Sequence, residues 1–129
     1  MNASSKVLLK NLFSGINPED YGEFQVLYPG VDILPLYGPG SDNSPSGVSN
    51  SSAALIRYQP GAKVPPHRHI GYEHIIVLEG AQSDDSGDYE KGTCVMNPPG
   101  TSHAVSSAKG CLVLAIWNRP IEVLEQGGE

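Results

Sequence analysis

Positive charge is scarce in this chain of 129 residues: eight Lys and Arg stand against fourteen Asp and Glu, for a net charge of −6. No basic patch forms and nothing interleaves arginine with aromatics, so nucleic acid is not an expected partner. Long apolar runs are missing as well. No stretch approaches the roughly 20 residues of a membrane span, and Met1 to Ser14 lacks the apolar core of a secretory signal. The expected location is the cytoplasm, with no membrane partner. Cysteine is limited to Cys94 and Cys111. In a reducing compartment a disulfide between them is disfavoured, and both read as small buried apolar side chains. No internal repeat is present.

What the chain has in quantity is turn formers. Its 15 glycines and 11 prolines suit many short strands joined by turns, that is, an all-β sandwich or small barrel. The length fits a single domain over 1–129. Within it, 1–23 is an arm, 24–118 the β core and 119–129 a tail. Phe24 to Tyr28, Val31 to Tyr37, Ala53 to Tyr58, His74 to Leu78 and Gly110 to Trp117 read as strands, and Asn17 to Asp20 as a turn or a single helical turn. Gly38 to Ser52, crowded with Gly, Pro, Ser and Asn, reads as a surface loop that either joins strands or covers the site.

Two segments carry the chemistry. Gly61-Ala-Lys-Val-Pro-Pro-His67-Arg-His69-Ile-Gly-Tyr-Glu73 continues to Gly80, and Gly92-Thr-Cys-Val-Met-Asn-Pro98-Pro-Gly100-Thr-Ser-His103 follows. Residues two apart in a strand project to one face, so His67 and His69 can reach a common ion. Glu73 keeps their parity. The Pro98-Pro99-Gly100 turn presents His103 at the start of the next strand. Neutral imidazoles and a carboxylate suit zinc, ferrous iron and their neighbours. His74, adjacent to Glu73, faces the opposite way and reads as structural. Asp84-Asp85-Ser86-Gly87-Asp88 lacks the length and terminal glutamate of a calcium loop, and reads as a solvated hairpin turn. Arg57, Tyr72, Met96 and Trp117 are candidate pocket residues, since ligand sites draw on such side chains.

These segments resemble the two signature motifs of the cupin superfamily (RmlC-like). Gly61, His67, His69, Glu73 and Gly80 match the first, and Gly92, Pro98, Gly100 and His103 the second. Ser107 stands where cupins usually carry Asn, a position that is not a ligand. The resemblance implies a double-stranded β-helix, or jelly roll, with one divalent transition metal inside its mouth. Fe2+ or Zn2+ heads the order, with Mn2+ or Ni2+ also compatible. Arg57-Tyr58-Gln59-Pro60-Gly61, Pro65-Pro66, Leu78-Glu79-Gly80, Gly87-Asp88-Tyr89 and Asn97 to His103 look most like the ChrR-type branch. That branch includes the sensory module of zinc-containing anti-sigma factors, and its relatives include small diketone-cleaving dioxygenases. The sigma-binding helical domain of those factors has no counterpart in this sequence.

Two functions of different class follow. One is a mononuclear metal-dependent dioxygenase-like enzyme acting on a small oxygenated molecule. The other is a non-catalytic zinc-binding sensor or regulatory module. A small-molecule ligand or substrate is expected in either case. Strand parity turns Glu73, Ile75 and Val77 toward the cavity and leaves Ile76 and Leu78 on the far face. That face needs cover from the N-terminal segment or a second subunit, and a homodimer is expected.

Overall fold

The longest strand, Glu73–Asp84, belongs to two sheets and decides the architecture. The computed structural model describes residues 6–38 and 50–124. Ten strands run through them: β1 (Gln25–Tyr28), β2 (Val31–Tyr37), β3 (Ser52–Tyr58), β4 (Ala62–Arg68), β5 (Glu73–Asp84), β6 (Gly87–Glu90), β7 (Cys94–Asn97), β8 (Ser102–Ser107), β9 (Cys111–Trp117) and β10 (Glu122–Val123). A short 3-10 turn, Pro18–Tyr21, precedes them, with proline at its start where no N–H is needed. Most of the expected Gly38 to Ser52 loop, and the tail beyond Leu124, lie outside the described residues. No helix among those residues is long and apolar enough to cross a membrane.

All pairings are antiparallel. One sheet runs β1-β2-β3-β9-β5-β7, the other β10-β4-β8-β5-β6. The first half of β5 pairs with β9 and β7, while its last four residues, Ala81 to Asp84, pair with β6 in the second sheet. The sheets thus curl into a jelly roll. The change of sheet falls at Gly80, whose φ of 72° is left-handed. A Cβ there would lie 2.0 Å from the carbonyl oxygen of Gly110, so the strands approach too closely for any side chain.

Alternation sorts the apolar residues into two cores. Ile56, Ile75, Val77, Val105 and Val113 fill the space between the sheets. Leu34, Leu55, Leu78, Leu112 and Leu114 cluster on the outer face of the first sheet. Leu9, Leu12, Ile16, Tyr21 and Phe24 of the N-terminal segment pack on that outer face. The face carrying Ile76 and Leu78 is therefore covered from within the chain, and the reason for expecting a second subunit there falls away. Cys111 is buried as expected, but Cys94 is exposed on β7, the outer strand of its sheet; both are free thiols. Ser107 is fully buried, and its hydroxyl donates to the carbonyl of Ala81 at 2.6 Å, tying β8 to β5 at the corner.

Candidate metal centre

Pro65 and Pro66 interrupt β4, because proline has no N–H to give the ladder. The register there slips by one residue, so Val64 and His67 are both buried although three positions apart. The slip sets His67 directly opposite His103 on β8. His69 follows β4 and is anchored by backbone bonds to Thr101 and Gly100 in the turn before β8. Glu73 opens β5. One ligand atom from each of His67, His69, Glu73 and His103 lies within 4.8 Å of the others. All four side chains are buried.

The outward sides of the three rings fix their tautomers. His67 Nδ1 donates to the Pro65 carbonyl at 3.1 Å. His69 Nδ1 lies 3.0 Å from Thr101 Oγ1, whose own proton goes to the Pro98 carbonyl, so the ring is the donor. His103 Nδ1 donates to Asp84 Oδ2 at 2.9 Å. In a neutral ring only one nitrogen carries hydrogen, so all three Nε2 atoms turn bare lone pairs inward. Glu73 is held likewise: Trp117 Nε1 donates to Oε2 at 2.6 Å and Asn97 Nδ2 to Oε1 at 3.0 Å.

The inward atoms have no proton to share. His67 Nε2 and His103 Nε2 stand 3.0 Å apart. His69 Nε2 is 2.9 Å from Glu73 Oε1, close enough for an ion pair by distance, yet it has no hydrogen-bond partner. With the ring proton on Nδ1, Nε2 and the carboxylate oxygen are two acceptors facing each other. Buried lone pairs gathered this closely repel unless a cation lies between them. The donor set therefore fits a divalent metal.

The protonation states agree. Burial lowers the pKa of His67 and favours its neutral form. Burial by itself would raise Glu73, but the adjacent His69 ring and the bond from Trp117 Nε1 outweigh it and hold the carboxyl below its ordinary value. Neutral imidazole and carboxylate are the ligand forms.

Beside the cluster lies a cavity of about 260 Å³, onto which His67, Glu73 and His103 open. Its other walls are mainly apolar, among them Ile33, Ile56, Val64 and Val105. Of the candidate pocket residues, Trp117 lines this cavity and grips Glu73. Arg57, Tyr72 and Met96 do not line it. Arg57 sits between the buried Ile56 and Tyr58, so alternation turns it outward, where it pairs with Glu19 at 2.7 Å and covers the Phe24 ring. Tyr72 is half exposed and stacks on His74, away from the cluster. Met96, 62% exposed, stands opposite His74 on the outer strand β7.

Asp84 belongs to the candidate centre although its sequence context reads as a solvated turn. It does begin a hairpin turn, but its side chain is 6% exposed and not solvated. Besides His103, it accepts from Tyr89 Oη and from the Ser86 amide, each at 2.8 Å. Burial pushes its carboxyl upward, and the bonds from Tyr89 and His103 more than offset this. A carboxylate behind a ligating imidazole orients the ring and strengthens it as a donor. Asp84→Asn is expected to weaken metal binding by about 10- to 100-fold, a range typical of such partners. Competition against a calibrated chelator measures it; unchanged affinity would remove Asp84 from the centre.

The family described as the ChrR Cupin-like domain matches residues 21–119 of the chain. No curated protein matches its sequence. Among solved structures, one from the Rhodobacter sphaeroides complex of SigE with the anti-sigma ChrR is 26% identical, with a TM-score of 0.65, over 78% of this chain and 51% of that one. A Ralstonia eutropha protein with a cupin-like fold is 20% identical, with a TM-score of 0.63, over 77% and 61%. The polyketide cyclase RemF from Streptomyces resistomycificus is 19% identical, with a TM-score of 0.66, over 88% and 87%. The chain thus spans about half of its match in the ChrR complex and under two thirds of the Ralstonia protein. Likeness at 19–20% identity speaks for the fold alone.

Proposed function

We propose a function for this chain, which belongs to the ChrR cupin-like domain family: a metal-dependent enzyme, dioxygenase-like in reaction class, acting on a small oxygenated molecule with a largely apolar skeleton. One observation carries this reading. His67, Glu73 and His103 open on a small cavity with mostly apolar walls, whereas a purely structural metal site is closed and needs no such space beside it.

His67, His69, Glu73 and His103 would hold one divalent transition metal, with iron and zinc the first candidates. When bound, the metal supplies a Lewis acid and, as iron, a redox centre. The remaining work falls to the chain. Asp84 and Thr101 keep the His103 and His69 rings turned inward. Trp117 and Asn97 fix the carboxylate of Glu73. The apolar walls exclude water and strengthen every polar contact made inside. Free thiols at Cys94 and Cys111 suit a reducing cytoplasm.

Anaerobic reconstitution with iron, followed by an oxygen electrode and a series of small β-diketones, tests this function. Oxygen uptake matched by diketone loss, absent in His103→Ala, is the expected result. Protein that retains zinc tightly and consumes no oxygen would contradict it.

That second outcome would favour the other reading, a non-catalytic zinc-binding regulatory module, which the 26% identity to a structure from the SigE–ChrR complex supports. In that case the four residues saturate the zinc, and the metal acts on stability more than on chemistry.

A further inference from the structure

Two polar side chains in the cavity take no part in holding the cluster. Tyr58 and Gln82 are 5% and 4% exposed, and both line the cavity. Tyr58 closes β3 and packs among inner-core residues such as Val31 and Val113. Gln82 lies on the second-sheet half of β5, two residues before Asp84. Gln82 Nε2 donates to Tyr58 Oη at 3.4 Å, longer than an ordinary hydrogen bond. Among the described residues, the Tyr58 hydroxyl proton and Gln82 Oε1 have no protein partner. Such groups lower stability when buried among hydrocarbon unless something meets them. A donor and an acceptor left open on a cavity form a binding surface.

We infer that Tyr58 and Gln82 are a second recognition point for the substrate, taking an uncharged carbonyl or hydroxyl on a molecule whose other oxygen lies at the His67–Glu73–His103 wall. This deepens the enzyme reading and rests on the cavity being a substrate site. The class follows from the lining. Tyr58 donates to a carbonyl or hydroxyl oxygen, and Gln82 Oε1 accepts from a hydroxyl. Burial drives the Tyr58 pKa well upward, so the phenol stays a donor. Among the described residues no Lys or Arg lines the cavity, so away from the His67–Glu73–His103 wall a carboxylate would find no countercharge. The volume is below the roughly 300–1,000 Å³ of common ligand pockets, which limits the substrate to a small molecule.

The chain has one tryptophan, Trp117, and it lines this cavity, so its fluorescence reports occupancy directly. The test compares heptane-2,4,6-trione with heptane-2,4-dione on zinc-loaded protein, with calorimetry alongside. Both probes offer a β-diketone, and only the trione carries a further carbonyl. Wild type is expected to bind the trione about tenfold more tightly, the worth of one buried hydrogen bond. Tyr58→Phe, which removes a single oxygen, should bring the ratio near one. Gln82→Leu should lower the ratio independently. A ratio near one in wild type, or one kept in both variants, overturns the inference and leaves the cavity as a substrate site. Failure of both probes to bind wild type overturns the substrate-site reading and the inference with it.

Discussion

His69→Ala is expected to gain almost nothing from metal, whereas the wild-type chain gains about 4 kcal/mol when free metal stands a thousandfold above its dissociation constant. The reason is local. His69 Nε2 is fully buried without a hydrogen-bond partner, and its ring is 1% exposed. An unpaired buried acceptor lowers the stability of the metal-free chain, and that deficit is recovered only when a cation is bound. Alanine removes the ligand and the deficit together. The variant also loses the bond to Thr101 and some buried volume, so its metal-free stability should fall by roughly 1–2 kcal/mol. Urea unfolding of both proteins, with metal and with chelator, separates these effects, because only the difference between the two conditions reports ligation. Equal metal-induced shifts in both proteins would mean that His69 is not a ligand.

Gly80→Ala is expected to prevent folding, at a cost beyond the roughly 4–5 kcal/mol that marks exceptional substitutions. Its positive φ explains only part of this. Gly61 has a comparable φ of 84°, but a Cβ added there would meet nothing within 4 Å, so Gly61→Ala should cost only about 1–2 kcal/mol of left-handed backbone strain. At Gly80 the added carbon would overlap the Gly110 carbonyl and crowd the Cys111 Cα at 2.9 Å, and neither is a side chain that can rotate away. The functional stake is the route of β5. Glu73 begins the strand in the first sheet, and the turn at Gly80 carries Gln82 and Asp84 into the second. Circular dichroism and thermal unfolding of the two variants decide between strain and overlap. A folded Gly80→Ala no weaker than Gly61→Ala would show that β5 can change sheets without the close approach.

The same turn marks where the sequence is legible and where it is not. Parity brings out His67, His69 and Glu73, the Pro98-Pro99-Gly100 turn brings out His103, and the two motifs join the four. Val31–Tyr37 is likewise plain from its apolar run between turns. Beyond Val77 the alternation breaks. The register shift between Val77 and Glu79 moves the inward set from Glu73, Ile75 and Val77 to Gln82 and Asp84. Strict alternation points Ala81 and Ser83 inward instead, so both buried polar residues escape notice. Asp84 is further disguised by Asp85, Ser86 and Asp88, which read as solvent-facing. Arg57 and Tyr72 are a different case: their neighbours Tyr58 and Glu73 face inward, and alternation already turns both away. Cover for Ile76 and Leu78 comes from Leu12 and Ile16, a long-range packing with no local signature.

The metal content of the purified protein, after reconstitution with iron or zinc and removal of loosely bound ions, tests the central claim most directly. The gathered His67, His69, Glu73 and His103 call for close to one divalent transition metal per chain, falling to near zero in His103→Ala. Folded wild-type protein that retains neither metal would contradict the four-ligand centre and the function built on it.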